Sequence, residues 1–198
     1  LHRSDGSVIG TLARGLKDPA EGTRIFQGDA ANVAWVSDIH LDRDGRPYVG
    51  YSVQKDSAGL DHRYRYARWT GDRWLDSEIA YAGTRLYAGE DDYTGNLALD
   101  PHDPGVAYIS TNADPRTGAP LVSPADQRRH WEIFRGISDR AGGPWTWTPI
   151  TRDSTADNIR PVVPRWDGRQ EVVLWLRGQY RSYTDYDLAV VGIIRKRR

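Results

Sequence analysis

The sequence contains no cysteine and no methionine. The lack of cysteine excludes disulfides, thiolate metal sites and cysteine nucleophiles. Because position 1 is not methionine, we expect the chain to be a processed or excised piece of a longer product, with any signal peptide outside it. No stretch approaches 18 consecutive apolar residues, so the sequence offers no candidate for a membrane-spanning helix.

The sequence also lacks net charge, since 27 basic residues balance 27 acidic ones. Without an overall field the chain has no general attraction for nucleic acid or anionic membranes, and we expect neither as a partner. Phenylalanine is scarce as well: there are two, against eight tryptophans and eleven tyrosines. Rings with a polar group can line a sugar-binding cleft or fill the core of a sheet-rich fold, and composition leaves both open.

Helical periodicity is weak, and turn signals such as DG, GD, DP and GG recur about every ten residues, which predicts many short strands. The stretch "VSDIHLDRDGRPYVGYS" (36–52) is typical of two strands joined at Asp44-Gly45. Its alternation places His40 on the face opposite Ile39 and Leu41. An imidazole at such a position needs an explanation from the rest of the chain.

The chain matches itself at intervals of about sixty residues. "SDIHLD" (37–42), "GNLALD" (95–100) and "DNIRPV" (157–162) are each followed by a turn and a second strand, and the first two units add a third and a Trp-containing fourth. Four strands per repeated unit indicate the blades of a β-propeller, whereas a β-sandwich gives no reason for the internal match. The segment 138–147 also carries most of an Asp-box turn, although Arg140 stands at its Asp position.

Residues 30–192 resemble the BNR-repeat propellers related to ulvan lyases and rhamnose–glucuronate lyases. The resemblance is carried by "DIHLDRDGRPYVGYS", "HRYRYARWTGDRW", "DPGVAYISTNADPRTGAPL", "RRHWEIFRG" and "DNIRPVVP". It implies an all-β fold of four-stranded antiparallel blades, about three blades and part of a fourth, forming the C-terminal half of a seven-bladed ring. The predicted segments are a remnant of a preceding blade (1–30), two blades (31–88 and 89–152), a partial or closing blade (153–194) and a basic tail (195–198).

Alignment of the units marks out candidate site positions. It makes His40, Ala98 and Arg160 equivalent on the first strands, and His62 equivalent to Arg129 on the third. A repeated position that carries His, Ala and Arg in turn is not fixed by core packing, so we expect it to face a polar space. A hydrogen-bonded structural histidine remains the alternative for both His40 and His62.

The resemblance implies a polysaccharide lyase that cleaves a uronic-acid-containing polysaccharide by β-elimination. A base removes the proton next to the carboxylate, a cation offsets the charge that builds up there, and an acid protonates the leaving oxygen. The implied proton-transfer groups are His40, His62 and Tyr108, and the implied carboxylate-binding group is Arg129. The implied substrate contacts are Arg128, Arg160, Tyr66 and His130. Three alternatives stay open: a one-residue slip would exchange Arg128 for Arg129, Tyr108 could be a core aromatic, and Arg160 could form a salt bridge to a neighbouring blade.

The expected partner is therefore an acidic polysaccharide, and the expected location is secreted or periplasmic. The elimination requires no cofactor, while the acidic cluster at 89–93 could hold a structural divalent cation or simply be solvated. Because a half ring leaves open strand edges, we also expect self-association. Two other functions remain: a non-catalytic carbohydrate- or protein-binding propeller, and a sialidase-like glycoside hydrolase, for which "TRIF" (23–26) is a faint signal.

Overall fold

The computed structural model describes residues 1–90, 93–139, 142–166 and 168–196. Within these ranges the fold is all-β, as the sequence predicts, and the one helical element is a short 3-10 turn at Pro19–Glu21. The strands are β1 (Ala34–Leu41), β2 (Pro47–Gln54), β3 (His62–Trp69), β4 (Trp74–Gly83), β5 (Leu97–Leu99), β6 (Val106–Thr111), β7 (Glu132–Ile137), β8 (Thr146–Pro149), β9 (Asp157–Val162), β10 (Gln170–Ser182) and β11 (Asp185–Lys196).

The strands form three antiparallel sheets in chain order. The first sheet contains β1–β4, the second β5–β8 and the third β9–β11, and each strand pairs with the next along the chain. The first strand of each sheet thus overlaps one of the three repeated segments. The sheets do not close into a ring, and β11 runs two residues into the predicted basic tail.

The strand registers place equivalent residues in equivalent rows of the first two sheets. In each sheet a residue of the first strand lies opposite a tyrosine of the second strand, which lies opposite an arginine of the third. These rows are His40–Tyr48–Arg68 and Ala98–Tyr108–Arg135. The match in register shows that the two sheets are built on one pattern.

Three buried tyrosines of the first sheet fasten it to the second. Their hydroxyl groups donate to backbone carbonyls of the second sheet and its turns: Tyr48 to Asp100 at 2.7 Å, Tyr64 to Ser110 at 2.7 Å, and Tyr66 to Pro104 at 2.9 Å. A tyrosine can fill an apolar interface in this way only if its hydroxyl finds a partner, and here each one does.

Apolar packing joins the second and third sheets, and a buried carboxylate lies beside it. Ile133, Val173 and Trp175 pack together in the interface. At its margin the carboxylate of Glu171, 4 % exposed, accepts hydrogen bonds from Arg135 at 3.0 Å and Arg195 at 2.6 Å. Glu171 therefore links β7, β10 and β11.

The other face of the first sheet is covered by the N-terminal segment 1–30. Ile25 and Phe26 pack against the cluster that includes Val49 and Tyr51. The indole of Trp74 donates to the Ser4 hydroxyl at 2.9 Å. The segment thus occupies the side on which a preceding blade is expected.

Candidate functional site

The two ends of the sheets differ in character. At one end, called here the loop end, lie the long connections between β4 and β5, between β6 and β7, and between β8 and β9. At the other, called the turn end, lie the connections between the first and second strands of each sheet. His62 begins β3 at the loop end, whereas His40 is the penultimate residue of β1 at the turn end.

The structure separates the two histidines that the sequence singled out. His40 lies opposite Tyr48, and His62 lies opposite Gln54. Those partners are six positions apart on β2, which corresponds to about 20 Å along an extended strand. A single small substrate group does not contact both.

At the turn end, His40 is positioned by a carboxylate. Its Nε2 lies 3.3 Å from Oδ2 of Asp38, and its side chain is 23 % exposed. The same carboxylate oxygen accepts the backbone N–H of Leu99 at 2.9 Å. Asp38 therefore orients the imidazole and ties β1 to β5.

Both tyrosines predicted for the site are buried. Tyr108 is fully buried between the second and third sheets, and Nε of Arg135 lies 3.4 Å from its hydroxyl oxygen. Tyr66 is fully buried between the first and second sheets, and burial raises the pKa of its hydroxyl. Both lie in the core, which is the alternative position that the sequence left open for Tyr108.

At the loop end, Arg129 is a half-buried cation whose recorded polar contact is with an uncharged group. Its Nε donates to the backbone carbonyl of Asn112 at 2.6 Å. In the part of the chain that the structure describes, no carboxylate lies within ion-pair distance of it. Burial lowers the pKa of the guanidinium, but an arginine stays charged at neutral pH. A partly desolvated cation without a counter-charge favours an external anion.

Asn112 connects this arginine with His62. The side chain of Asn112 accepts the N–H of Thr84 at 3.1 Å and donates to its hydroxyl at 2.9 Å. It also packs on Gly83, the strand partner of His62, where a Cβ would lie 2.0 Å from the amide oxygen. Gly83 has φ 84°, which also favours glycine. His62 itself is fully buried.

The neighbouring residues on the β6–β7 connection have other roles. Arg128 is exposed, and its backbone N–H donates to Asp126 at 3.0 Å. His130 is only 13 % exposed, and its Nε2 and Nδ1 lie 2.9 Å from Asp126 and 3.1 Å from Asp157. Burial lowers the pKa of this imidazole, but the two carboxylates outweigh burial and the net shift is upward. His130 thus fastens the connection to β9.

The raised pKa of His130 predicts a pH-dependent contribution to stability. The contribution is complete below the unfolded-state pKa of about 6.5 and is lost as pH rises through the higher folded-state pKa. We expect the stability gap between the wild type and His130→Gln to be largest near pH ~6 and to shrink towards pH ~9, as measured by urea unfolding. His2→Gln, at an exposed position, is the control. A gap that widens with pH would contradict the assignment.

Arg160 occupies a β-bulge in β9. Ile159 lies opposite Leu176 and Val162 opposite Leu174, so β9 has one residue more than β10 in this interval. Arg160 has φ 53°, a left-handed conformation that costs a non-glycine residue about 1–2 kcal/mol. Bulges of this kind redirect side chains next to functional sites.

The guanidinium of Arg160 also lacks a carboxylate partner among the described residues. It lies over the ring of Tyr180, 5.2 Å from the centroid, with a long contact of 3.4 Å to the hydroxyl. Its Nε is buried and has no hydrogen-bond partner in the described ranges. The salt bridge to a neighbouring blade, the alternative for this residue, is not present there.

Most other described arginines of the strands are ion-paired, and Arg177, which is not, donates to the side chain of Asn158 at 3.0 Å. The paired side chains are Arg63, Arg65, Arg68, Arg135, Arg181 and Arg195. The loop end therefore offers two half-buried cations to an external anion.

The sequence singles out no residue at the turn end besides His40. In the structure His102, in the turn "DPHDPG", lines a cavity of about 510 Å³ there together with Tyr48 and Arg165. The proline-rich turn gave no sign that the third sheet would approach it.

Comparison with protein-family models and with curated proteins finds no match for this chain. Within the described ranges, no group of three or more His, Asp or Glu side chains is placed to hold a metal ion. No helix in those ranges is long and apolar enough to cross a membrane. Asp91 and Asp92 of the acidic cluster, Arg140 of the Asp-box turn and the last two residues of the basic tail lie outside the described residues.

Proposed function

We propose that these sheets belong to a secreted, propeller-type polysaccharide lyase that binds a uronic-acid-containing polysaccharide at the loop end and cleaves it by β-elimination. The observation that carries the proposal is the half-buried Arg129, which has no carboxylate partner among the described residues. A guanidinium presents a planar pair of donors that matches a carboxylate. Arg160 supplies a second such group on the next sheet.

The role proposed for Arg129 is electrostatic stabilisation of the substrate carboxylate. Proton removal next to a uronate carboxylate places additional charge on that carboxylate, and a fixed cation stabilises it most in a partly desolvated site. The anchoring bond to the Asn112 carbonyl uses only Nε. That bond leaves the two terminal nitrogens for the proposed carboxylate.

We assign the proton transfer to His62. The other imidazole at the loop end, His130, is held between two carboxylates. Because His62 is fully buried, its participation requires the surrounding residues to move when substrate binds.

A non-catalytic carbohydrate-binding propeller is the second candidate. It is favoured by the burial of His62 and Tyr108, since groups that never reach solvent cannot move a substrate proton. This candidate keeps Arg129 as the carboxylate-binding group and omits the elimination.

One experiment separates these functions. The chain is incubated with a glucuronate-containing polysaccharide while ultraviolet absorbance and retention on an immobilised polysaccharide are followed. Elimination creates a conjugated unsaturated uronate, which raises the ultraviolet absorbance. A binding module is retained on the polysaccharide without any rise in absorbance. Hydrolysis releases reducing ends, also without a rise in absorbance. Neither retention nor product would overturn both candidates.

We also propose that the open edge of β11 pairs with a second copy of the chain. Val190 and Ile194 on this strand are 70 % and 67 % exposed. If two β11 strands pair in antiparallel orientation about Val191, Asp187 of each copy lies opposite Arg195 of the other. Self-complementary charge at a two-fold axis favours a closed dimer.

This proposal predicts a concentration-dependent dimer in sedimentation experiments. Asp187→Arg places like charges opposite each other and should weaken dimerisation tenfold or more, which corresponds to about 1.4 kcal/mol. Asp5→Arg makes the same charge change at an exposed N-terminal position and should have no effect. A monomer at high concentration would overturn the pairing.

A further inference from the structure

The tip of the β10–β11 hairpin carries an aromatic surface beside Arg160. The recorded pairing of β9 with β10 reaches Gly178, whereas β10 continues to Ser182 and pairs onward with β11. Tyr180 and Tyr186 lie opposite each other in this extension, with nearly parallel rings 6.1 Å apart. Tyr186 is 59 % exposed.

Tyr180 is fixed from more than one direction. The guanidinium of Arg160 lies over its ring, and the ring of Tyr87 lies 5.7 Å away. The hydroxyl of Tyr87 donates to Glu90 at 3.0 Å. The result is a packed aromatic surface with the guanidinium of Arg160 on one side of Tyr180 and the exposed ring of Tyr186 on the other.

Packing alone does not account for an arginine at the bulge. Glycine or asparagine adopts φ 53° with less strain. Ala98, the equivalent residue of the second sheet, lies in regular strand pairing with Tyr108. The backbone N–H of Arg160 bonds to Gly95 at 2.8 Å, and any residue with an N–H could make that bond.

We propose that Arg160 and Tyr186 form a uronate subsite distinct from Arg129. The guanidinium binds the carboxylate of one sugar unit, and the apolar face of the adjoining sugar lies on the exposed ring of Tyr186, on the other side of Tyr180. This inference rests on the proposed binding of acidic polysaccharide and adds to it a second point of recognition, on the third sheet. The contact with Tyr180 holds the guanidinium plane in position before the ligand arrives.

The test is calorimetric titration of the chain with a glucuronate-containing tetrasaccharide and with the same tetrasaccharide after reduction of its carboxyl groups to alcohols. Arg160→Gly and Tyr186→Ala should each weaken binding of the unreduced sugar tenfold or more. Tyr183→Ala, which removes an exposed ring at the turn of the same hairpin, should leave affinity unchanged. The reduced sugar should bind the wild type and Arg160→Gly equally weakly.

Two further readouts separate the subsite from unfolding of the variant and from the proposed lyase chemistry. Arg160→Gly should keep the wild-type melting temperature within a few degrees, because glycine suits the backbone, so lost binding would not reflect unfolding. Unchanged affinity in folded Arg160→Gly, or equal binding of the reduced sugar to the wild type, overturns the subsite. Arg160-dependent binding without any ultraviolet-absorbing product overturns the lyase chemistry and leaves the subsite standing.

Discussion

Arg129→Ala should lower the rate of uronate elimination about a hundredfold, because removal of one charged donor from a developing oxyanion costs ~3 kcal/mol in the transition state. The effect should fall on turnover more than on the Michaelis constant, since the carboxylate gains charge during proton removal. The rate is measured from the ultraviolet absorbance of the unsaturated product.

Arg128→Ala is the matched control for this experiment. It removes the same side chain one position earlier, where the structure places it in solvent. His102→Ala is a second control, at the turn end. Damage by Arg128→Ala with normal activity in Arg129→Ala would show that the register is shifted by one residue. Wild-type rates in both variants would overturn the assignment of the carboxylate-binding group.

Glu171→Ala should destabilise the chain by about 3 kcal/mol, because loss of one partner from a buried ion pair leaves an uncompensated charge. Glu171 is 4 % exposed and accepts hydrogen bonds from both Arg135 and Arg195. Its removal leaves Arg135, on β7, without this carboxylate. Urea denaturation measures the change.

The control for Glu171 is an exposed ion pair on the same sheet. Asp185 pairs with Arg181 at 2.7 Å, with both side chains about half exposed. Solvent screens such pairs, so Asp185→Ala should leave stability nearly unchanged. Similar losses in the two variants would contradict the role given to burial.

Strand content and the starts of the three sheets could be predicted from sequence because turn residues and alternation act locally. The segments that start at 37, 95 and 157 overlap β1, β5 and β9, respectively. The alignment that makes His62 equivalent to Arg129 also makes Tyr66 equivalent to Ile133. In the structure these two residues lie opposite equivalent positions of the second strands, Gly50 and Ser110.

The candidate site could be predicted only in part, because it depends on contacts between sheets. The sequence pattern around Tyr108 is the same whether the ring is exposed or buried. Tyr108 is buried because the third sheet packs against it. The bulge at Arg160 likewise depends on the pairing of β9 with β10. The separation of His40 from His62 could have been predicted from the sequence. The second strand pairs with the strands that carry both histidines, and counting residues along it gives the distance between them.

The tyrosines that join the first two sheets have a consequence for how such a chain can arise. The hydroxyls of Tyr48, Tyr64 and Tyr66 all bond to backbone carbonyls, which every amino acid provides. A newly duplicated unit would therefore find its acceptors on its own copy at once, before any side chain had adapted. Later substitutions on the accepting sheet would leave those acceptors in place, so the copies could diverge in sequence without losing their attachment.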